Sequence, residues 1–366
     1  MRRTASRGSP EARGGARWRG PRPLAALFLL LLAVAATFAV AVFVPRHARV
    51  ATAAGAGHAK APTTTTVVDA PQPSAGCGKP APVAPGTSGA ETLSSGGRSR
   101  AYRLHVPVGY QSTHPYPLVL NFHGHGSNAA RQEAYTGFSL LADRHGFIVT
   151  YPQGLVGPDG RTGWASGGPN KPQANDVFFV SDLITALQAR LCVDPARVYA
   201  TGFSNGGGLT SVLACRLAGR IAAFAPVAGS YFMPAGGCDP VRPVPILEFH
   251  GTADGTVPYG GNAVTHLIGA WSWATGWAAR DGCTAAPVQL GAWRGGVLDL
   301  GWTGCRGGAT VIHYRLAGGT HVWPGAPSGQ RVPPSDATCD ASSLIWDFFV
   351  AHPLPAPAVR PVSRAS

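Results

Sequence analysis

The chain has 366 residues, 45% hydrophobic and 13% charged, which is long enough to bury a sizeable core and too apolar for a disordered protein. Its formal net charge is +13, but residues 1–50 hold nine arginines and a single acid, Glu11, and so account for +8 of it, leaving +5 for everything else. No Lys/Arg cluster and no aromatic-plus-basic stripe follows residue 50, which argues against a nucleic-acid-binding protein.

Seven arginines precede Leu24, and residues 24–44 carry no charge over 21 positions. A helix of about 20 apolar residues spans a bilayer, and the arginine excess holds the N-terminal side in the cytoplasm. Two readings stay open. A cleaved signal peptide would use the small residues of "ATAAGAGHA" (51–59), whereas the length of the apolar run fits an uncleaved signal anchor. Both place the rest of the chain outside the cytoplasm, secreted or tethered to the outer face of the membrane through residues 24–44. The basic N-terminus with its signal segment thus covers 1–50. An Ala/Pro/Thr/Ser-rich linker is expected over 51–98, and a Pro-rich tail over 352–366. Between them, 99–351 reads as one domain without internal repeats.

Within that domain, strand patterns alternate with helical ones. "RAYRLHVP" (100–107), "PYPLVLNFHG" (115–124) and "FIVTYPQG" (147–154) read as strands, and 128–146 between the last two reads as a helix stopping at Gly146. A helix follows over 175–191, then the strand "RVYATGF" and a helix from "GGLTSVLACRLAG". Further strands are expected at 221–230, 243–251 and 310–319, with an amphipathic helix closing the domain over 341–352. This alternation predicts an α/β fold with a mainly parallel central sheet and helices on both faces.

All seven cysteines lie beyond the apolar segment and none forms a CxxC pair, so bridges are expected and a metal is not. Proximity favours Cys215–Cys238 and Cys283–Cys305. Cys77–Cys192 is a further pairing, and Cys339 is left over.

The segment "VYATGFSNGGGLTSVLAC" (198–215) places Ser204 between Gly202 and Gly206, after a strand and before a helix. That is the context of a nucleophile elbow, where a strained turn presents a serine and flanking side chains would collide with the neighbouring strand or helix. A serine needs a base, and the base needs an acid. Asp254 follows the strand that ends at Gly251, and His321 follows the next strand, in the expected order Ser204, Asp254, His321. His250 and His313 are alternative bases but fall within strands, and Glu248, also mid-strand, has no evident role. The backbone N–H of Asn205, and that of His125 in "NFHGHGSN" (121–128), are the candidate oxyanion donors. Trp164, Asp176 and Trp323 are candidate substrate contacts. Asp176, with Asn175, could equally cap a helix, and the tryptophans could equally be core. Trp271, Trp273 and Trp277 read as core or lid packing rather than a sugar platform.

Together "HGHGSNA", "GFSNGGG", "HGTADGTVPY", "RDGC" with a later "GC", and "GGTHVWPG" resemble the esterase branch that contains feruloyl esterases, acetylxylan esterases and polyhydroxybutyrate-depolymerase-like proteins. The resemblance covers about residues 76–350. It implies an α/β-hydrolase fold, exported carboxylic-ester hydrolysis with Ser204, Asp254 and His321 as triad, and no cofactor. "GCGK" (76–79) and "LCVDPARVYATGFS" (191–204) also resemble that family and make Cys77–Cys192 more plausible. Many relatives carry a cysteine where His125 stands, so a bridge at that place is not expected here. The expected partner is an ester substrate, a plant polysaccharide ester or a polyester, met by a monomer. The rival readings are an acyltransferase using the same triad, and a non-catalytic binding protein on a hydrolase scaffold.

Overall fold

Short β-branched and aromatic runs separated by glycine-rich turns build most of the chain, whose computed structural model describes residues 70–168, 171–291, 295–326 and 334–355. The expected signal segment, its apolar run 24–44 and the linker up to residue 69 lie outside the described residues, as does the tail from 356. Among the described residues, no helix is long and apolar enough to cross a membrane.

In chain order the elements begin with β1 (Thr87–Ser95), β2 (Arg98–Val106), β3 (Tyr116–Phe122), α1 (Ala129–Thr136), α2 (Phe138–His145) and β4 (Ile148–Pro152). A small hairpin, β5 (Leu155–Val156) and β6 (Thr162–Gly163), precedes α3 (Asp176–Arg190), β7 (Val193–Phe203), α4 (Asn205–Arg216), β8 (Ala223–Val227) and β9 (Ile246–Gly251). A second small hairpin, β10 (Gly261–Asn262) and β11 (Leu267–Ile268), leads to α5 (Ala270–Arg280), β12 (Val288–Gln289), β13 (Val297–Trp302) and β14 (Val311–Leu316). The helices α6 (Pro334–Thr338) and α7 (Ala341–Val350) close the described chain.

Ten strands form one sheet in the order β1-β2-β4-β3-β7-β8-β9-β14-β13-β12. From β4 to β14 the strands are parallel, and the pairs β1/β2 and β13/β12 extend it antiparallel at the two edges. Strands covered on both faces read as continuous apolar runs, and every residue of β4, β8 and β9 is buried. Phe179 and Leu183 of α3, Leu213 of α4 and Trp277 of α5 fill the core on one face. Leu141 of α2 and Ile345 and Phe349 of α7 fill the other. Each such side chain contributes roughly 1.5–3 kcal/mol by leaving water.

Two expectations change. The helix expected over 128–146 is two helices, because Gly137 adopts φ 65°, ends α1 with a backbone bond to Glu133 and starts α2 in a new direction. The linker expected to reach residue 98 stops earlier. Residues 87–95 form β1, paired along its length with β2, and Ser74 and Gly76 are hydrogen-bonded to Val193 and Gln188. The polar, Ser/Gly-rich composition of β1 is that of an edge strand with one wet face, which composition alone reads as linker. In α5, as expected, Trp273 and Trp277 are core packing, i and i+4 on the buried face, while Trp271 is exposed. The bridges are Cys77–Cys192, Cys215–Cys238 and Cys283–Cys305, and Cys339 is a buried free thiol.

Candidate active site

The parallel strands end on one side of the sheet, and the chemistry-bearing residues stand just past those ends, where open α/β sheets place their ligands. Ser204 sits between β7 and α4 at φ 56°, ψ −116°, a conformation that a non-glycine residue adopts only when its surroundings impose it, at a cost of roughly 1–3 kcal/mol. Its N–H donates to Val227 O at 2.9 Å, and its carbonyl accepts from Gly208 and Ser230. A Cβ on Gly206 would lie 2.2 Å from Phe122 O, and one on Gly202 would lie 2.6 Å from Gly206 O. Any side chain at either position would push the turn away from β3, so the flanking glycines are a packing requirement.

Ser204 Oγ lies 3.0 Å from His321 Nε2, and His321 Nδ1 lies 2.7 Å from Asp254 Oδ2. Asp254 Oδ1 accepts the N–H groups of Thr256 and Val257, each at 2.8 Å, which fixes the carboxylate plane. Burial alone would raise its pKa, but hydrogen bonds from His250, His321 and Val257 outweigh that and hold it well below the usual carboxylate range. The structure thus brings together all three residues expected from the order of motifs, in the geometry of a serine, a base and an orienting acid.

Asn205 opens α4, so its backbone N–H has no partner within the helix and points out of the positive end of the helix dipole. Its side chain has a second job that the sequence did not reveal. Oδ1 accepts Trp164 N–H at 2.7 Å and Nδ2 donates to Ser166 Oγ at 2.7 Å, which ties the 164–166 segment to the elbow. Ser166 in turn lines a cleft of about 950 Å³ together with Lys171, Phe232, Met233 and His266.

The other expected donor, His125, lies in a loop held from both sides. Gly126 N–H donates to Thr162 O at 2.7 Å, and the His125 ring pairs with Asp159 at 2.9 Å. The residue that aims this loop is the neighbouring His123, overlooked in the sequence although it closes an apolar strand. It is fully buried, and Gly154 N–H donates to its Nε2 at 2.9 Å. Nδ1 must then carry the proton, and it donates to Gly124 O at 2.8 Å. That carbonyl belongs to the peptide whose N–H is His125's, so His123 sets its orientation. Burial pushes the His123 pKa down to about 4, so the ring is neutral near pH 7.

Behind Asp254 lies a buried polar group. Glu248 Oε1 accepts from Tyr231 OH at 3.0 Å and faces His250 Nδ1 at 3.0 Å, while Oε2 faces His313 Nδ1. His313 Nε2 meets Tyr259 OH at 2.7 Å. Neither His250 nor His313 reaches Ser204, as their positions within strands implied.

Three expected substrate contacts are corrected. Trp164 is completely buried, with its indole N–H on His123 O at 2.8 Å. Asp176 is also buried. It pairs with Arg100 at 2.7 Å and accepts Ala165 N–H at 2.7 Å, so its carboxylate is used inside the fold. Trp323 is 1% exposed, donates its indole N–H to Ser342 at 3.0 Å and packs edge-on against Phe138. A buried indole N–H needs an acceptor, and here both found one in the protein. All three brace loops of the site from behind.

A sequence profile of the family described as "Esterase PHB depolymerase" matches residues 100–238. A feruloyl esterase B of Piromyces equi is 35% identical over 226 residues, 59% of this chain, and this chain spans only 41% of that protein. An esterase of Nocardia uniformis subsp. tsuyamanensis is 33% identical over 298 residues, covering 74% of this chain and 84% of the relative. Feruloyl esterase D of Neurospora crassa is 29% identical, over 76% of this chain and 90% of its own. Among solved structures, an acetyl xylan esterase from Aspergillus awamori aligns with TM-score 0.50 at 16% identity, over 64% of this chain and 94% of that one, a likeness of fold. With its mainly parallel sheet and its elbow past β7, the chain belongs to the esterase family of feruloyl esterases, acetylxylan esterases and polyhydroxybutyrate-depolymerase-like proteins, carboxylic-ester hydrolases on the α/β-hydrolase fold.

Proposed function

We propose that the chain is an exported serine esterase that works through an acyl-enzyme on Ser204. The observation that carries this reading is the hydrogen-bond chain from Ser204 Oγ to His321 to Asp254, at 3.0 and 2.7 Å. Ser204 Oγ attacks the ester carbonyl carbon while His321 Nε2 takes its proton. The tetrahedral oxyanion accepts from the N–H groups of Asn205 and His125. As the intermediate collapses, His321 returns the proton to the departing alcohol and Ser204 keeps the acyl group. Water, deprotonated by His321, then attacks the acyl carbon, and as the acid leaves, the bond to Ser204 Oγ breaks and Oγ takes the proton back from His321. Asp254 holds the ring of His321 in orientation and stabilises its cationic form.

The names of the relatives support feruloyl or acetyl esters of polysaccharide, or hydroxybutyrate-type polyesters, as the substrate class. Export is supported by the three bridges, which persist in oxidising compartments, and by the basic, apolar N-terminal segment, which tethers the protein if it stays uncleaved.

Ser204→Ala should lower turnover of a simple aryl ester by a factor on the order of 10⁴ or more, and should prevent labelling by a fluorophosphonate. Retention of rate in that variant would refute the reading. Rates on methyl ferulate, acetylated xylan and hydroxybutyrate oligomers then rank the substrate classes. The same reactions run with a competing alcohol separate hydrolysis from acyl transfer.

A further inference from the structure

His250 is almost fully buried, and each of its ring nitrogens faces oxygen atoms. Nε2 lies 2.9 Å from Val257 O, a carbonyl that can only accept, and 3.5 Å from Asp254 Oδ2. Nδ1 lies 3.0 Å from Glu248 Oε1, which already takes the hydroxyl of Tyr231. Glu248 Oε2 takes a third donor, His313 Nδ1. A buried glutamate surrounded by three donors is a carboxylate, and an imidazole whose two nitrogens both meet acceptors must carry a proton on each. Burial disfavours this charge, yet the bonds to Asp254 and Glu248 prevail and lift the His250 pKa to about 10.

We propose that His250 is a permanent imidazolium, clamped between Glu248 and Asp254, which acts through Asp254 as a positioning residue and sets the pH at which His321 becomes available as base. The proposal rests on the triad reading above. The two carboxylates flank one fixed cation, which neutralises one of their two charges, and Asp254 offers the same oxygen, Oδ2, to both His250 and His321. The fixed cation keeps Asp254 ionised. It also opposes the field of Asp254 and Glu248 at the His321 ring.

The other groups facing this unit are Tyr231, which donates to Glu248, and Tyr259, which meets His313 and is itself bonded to Arg315. On the far side of Asp254 is Asp336, whose carboxylate takes Thr320 N–H at 3.0 Å and sits in the field of Asp254. Among the described residues no group of three or more His, Cys, Asp or Glu is arranged to hold a metal ion, so the unit is read as a proton-ordered network.

Nitrogen-15 spectra of the histidine-labelled native protein test the charge directly. His250 should show both ring nitrogens protonated at every pH from about 5 to 9. A nitrogen that loses its proton in that range would overturn the proposal. His250→Gln keeps a hydrogen-bonding side chain but no charge, and should move the acid limb of the kcat/KM profile up by about half to one pH unit. A loss of rate with the limb unmoved would mean that His250 is only structural. If His250→Gln does not fold, the spectra of the native protein still decide. Failure of the triad reading would appear elsewhere, as turnover retained by Ser204→Ala.

Discussion

The two flanks of the site each have a buried histidine behind the reacting atoms, and the two rings end in opposite states. On the oxyanion flank, His123 Nε2 faces donors, Gly154 N–H and the Gln153 amide, Nδ1 faces an acceptor, Gly124 O, and burial holds the ring neutral, with a pKa of about 4. On the acid flank, His250 meets the oxygens of Glu248, Val257 and Asp254 and is held charged, with a pKa of about 10. His123 lies just past the end of β3 and His250 near the end of β9, and both rings are out of water. What separates them is the partner set: an imidazole offered an N–H must present a bare nitrogen, whereas one offered only oxygens must present two protons. The neutral ring is suited to holding a peptide plane still, the charged ring to adjusting the field at Asp254.

The sharpest way to break this comparison is His123→Phe, which roughly keeps the ring volume and deletes its hydrogen bonds. With the Gly124 carbonyl released, His125 N–H loses its aim, and kcat should fall on the order of 10- to 100-fold with KM little changed. The acid limb of the rate profile should stay in place, because no charge has been removed. His250→Gln should do the reverse, moving the limb along the pH axis. If His123→Phe also moved the limb, the division of roles between the flanks would fail. Steady-state kinetics over a pH series on one aryl ester reads both effects.

The unequal legibility of the two flanks has a physical basis. Ser204, Asp254 and His321 could be found because glycine-bounded strand ends mark where the chain leaves the sheet, and residues just beyond them face the site. The parallel sheet was legible for a related reason: strands covered on both faces, such as β8, read as continuous apolar runs. β1 was missed because its polar wet face resembles a linker, and the break at Gly137 because a helix composition does not say where its axis turns. His123 and His250 were unreadable in their roles. Composition gives a residue's type, but charge state depends on donors and acceptors such as Gly154 N–H and Val257 O, contributed by distant backbone. Trp164, Asp176 and Trp323 erred in the other direction, since residues near a site in sequence can brace it from inside the core.

A smaller effect sharpens the oxyanion flank. Asn205→Ala keeps the backbone N–H that faces the oxyanion but removes the acceptor for Trp164 N–H and the donor to Ser166. A donor left unpaired in this half-buried seam costs about 1–3 kcal/mol, so the melting temperature should drop by several degrees. The loss in kcat should be smaller than for His123→Phe, because the helix still presents its N–H. A larger loss would transfer the positioning role from His123 to Asn205. Thermal denaturation and kinetics on the same preparations decide.

The smallest effect lies in stability against pH, where the two histidines should act with opposite slopes. An unfolded histidine takes up its proton near pH 6.5, whereas His123 in the fold resists until about 4, so as pH falls between these values the unfolded chain gains protons first and stability is lost. For His250 the folded pKa is raised to about 10, so its contribution is fully present below about pH 6.5 and is lost as pH rises toward 10. Other groups share these ranges. His352, lowered by burial, adds to the acid-side loss, while Asp281, pushed up to about 6 by burial, opposes it. The depressed carboxyls Glu248 and Asp254 weaken the fold as pH falls below about 5, where unfolded carboxylates begin to protonate. The slope of the native protein is therefore a mixture, and the difference between native protein and variant isolates each ring. From pH 7 to 5, His123→Phe should lose less stability than the native protein, by about 1–2 kcal/mol, and from pH 7 to 9.5 His250→Gln should likewise lose less. Melting temperatures of the three proteins at pH 5, 7 and 9.5 test this. Parallel curves would mean that neither ring changes its proton affinity on folding, and the contrast in partner sets would then have no energetic consequence.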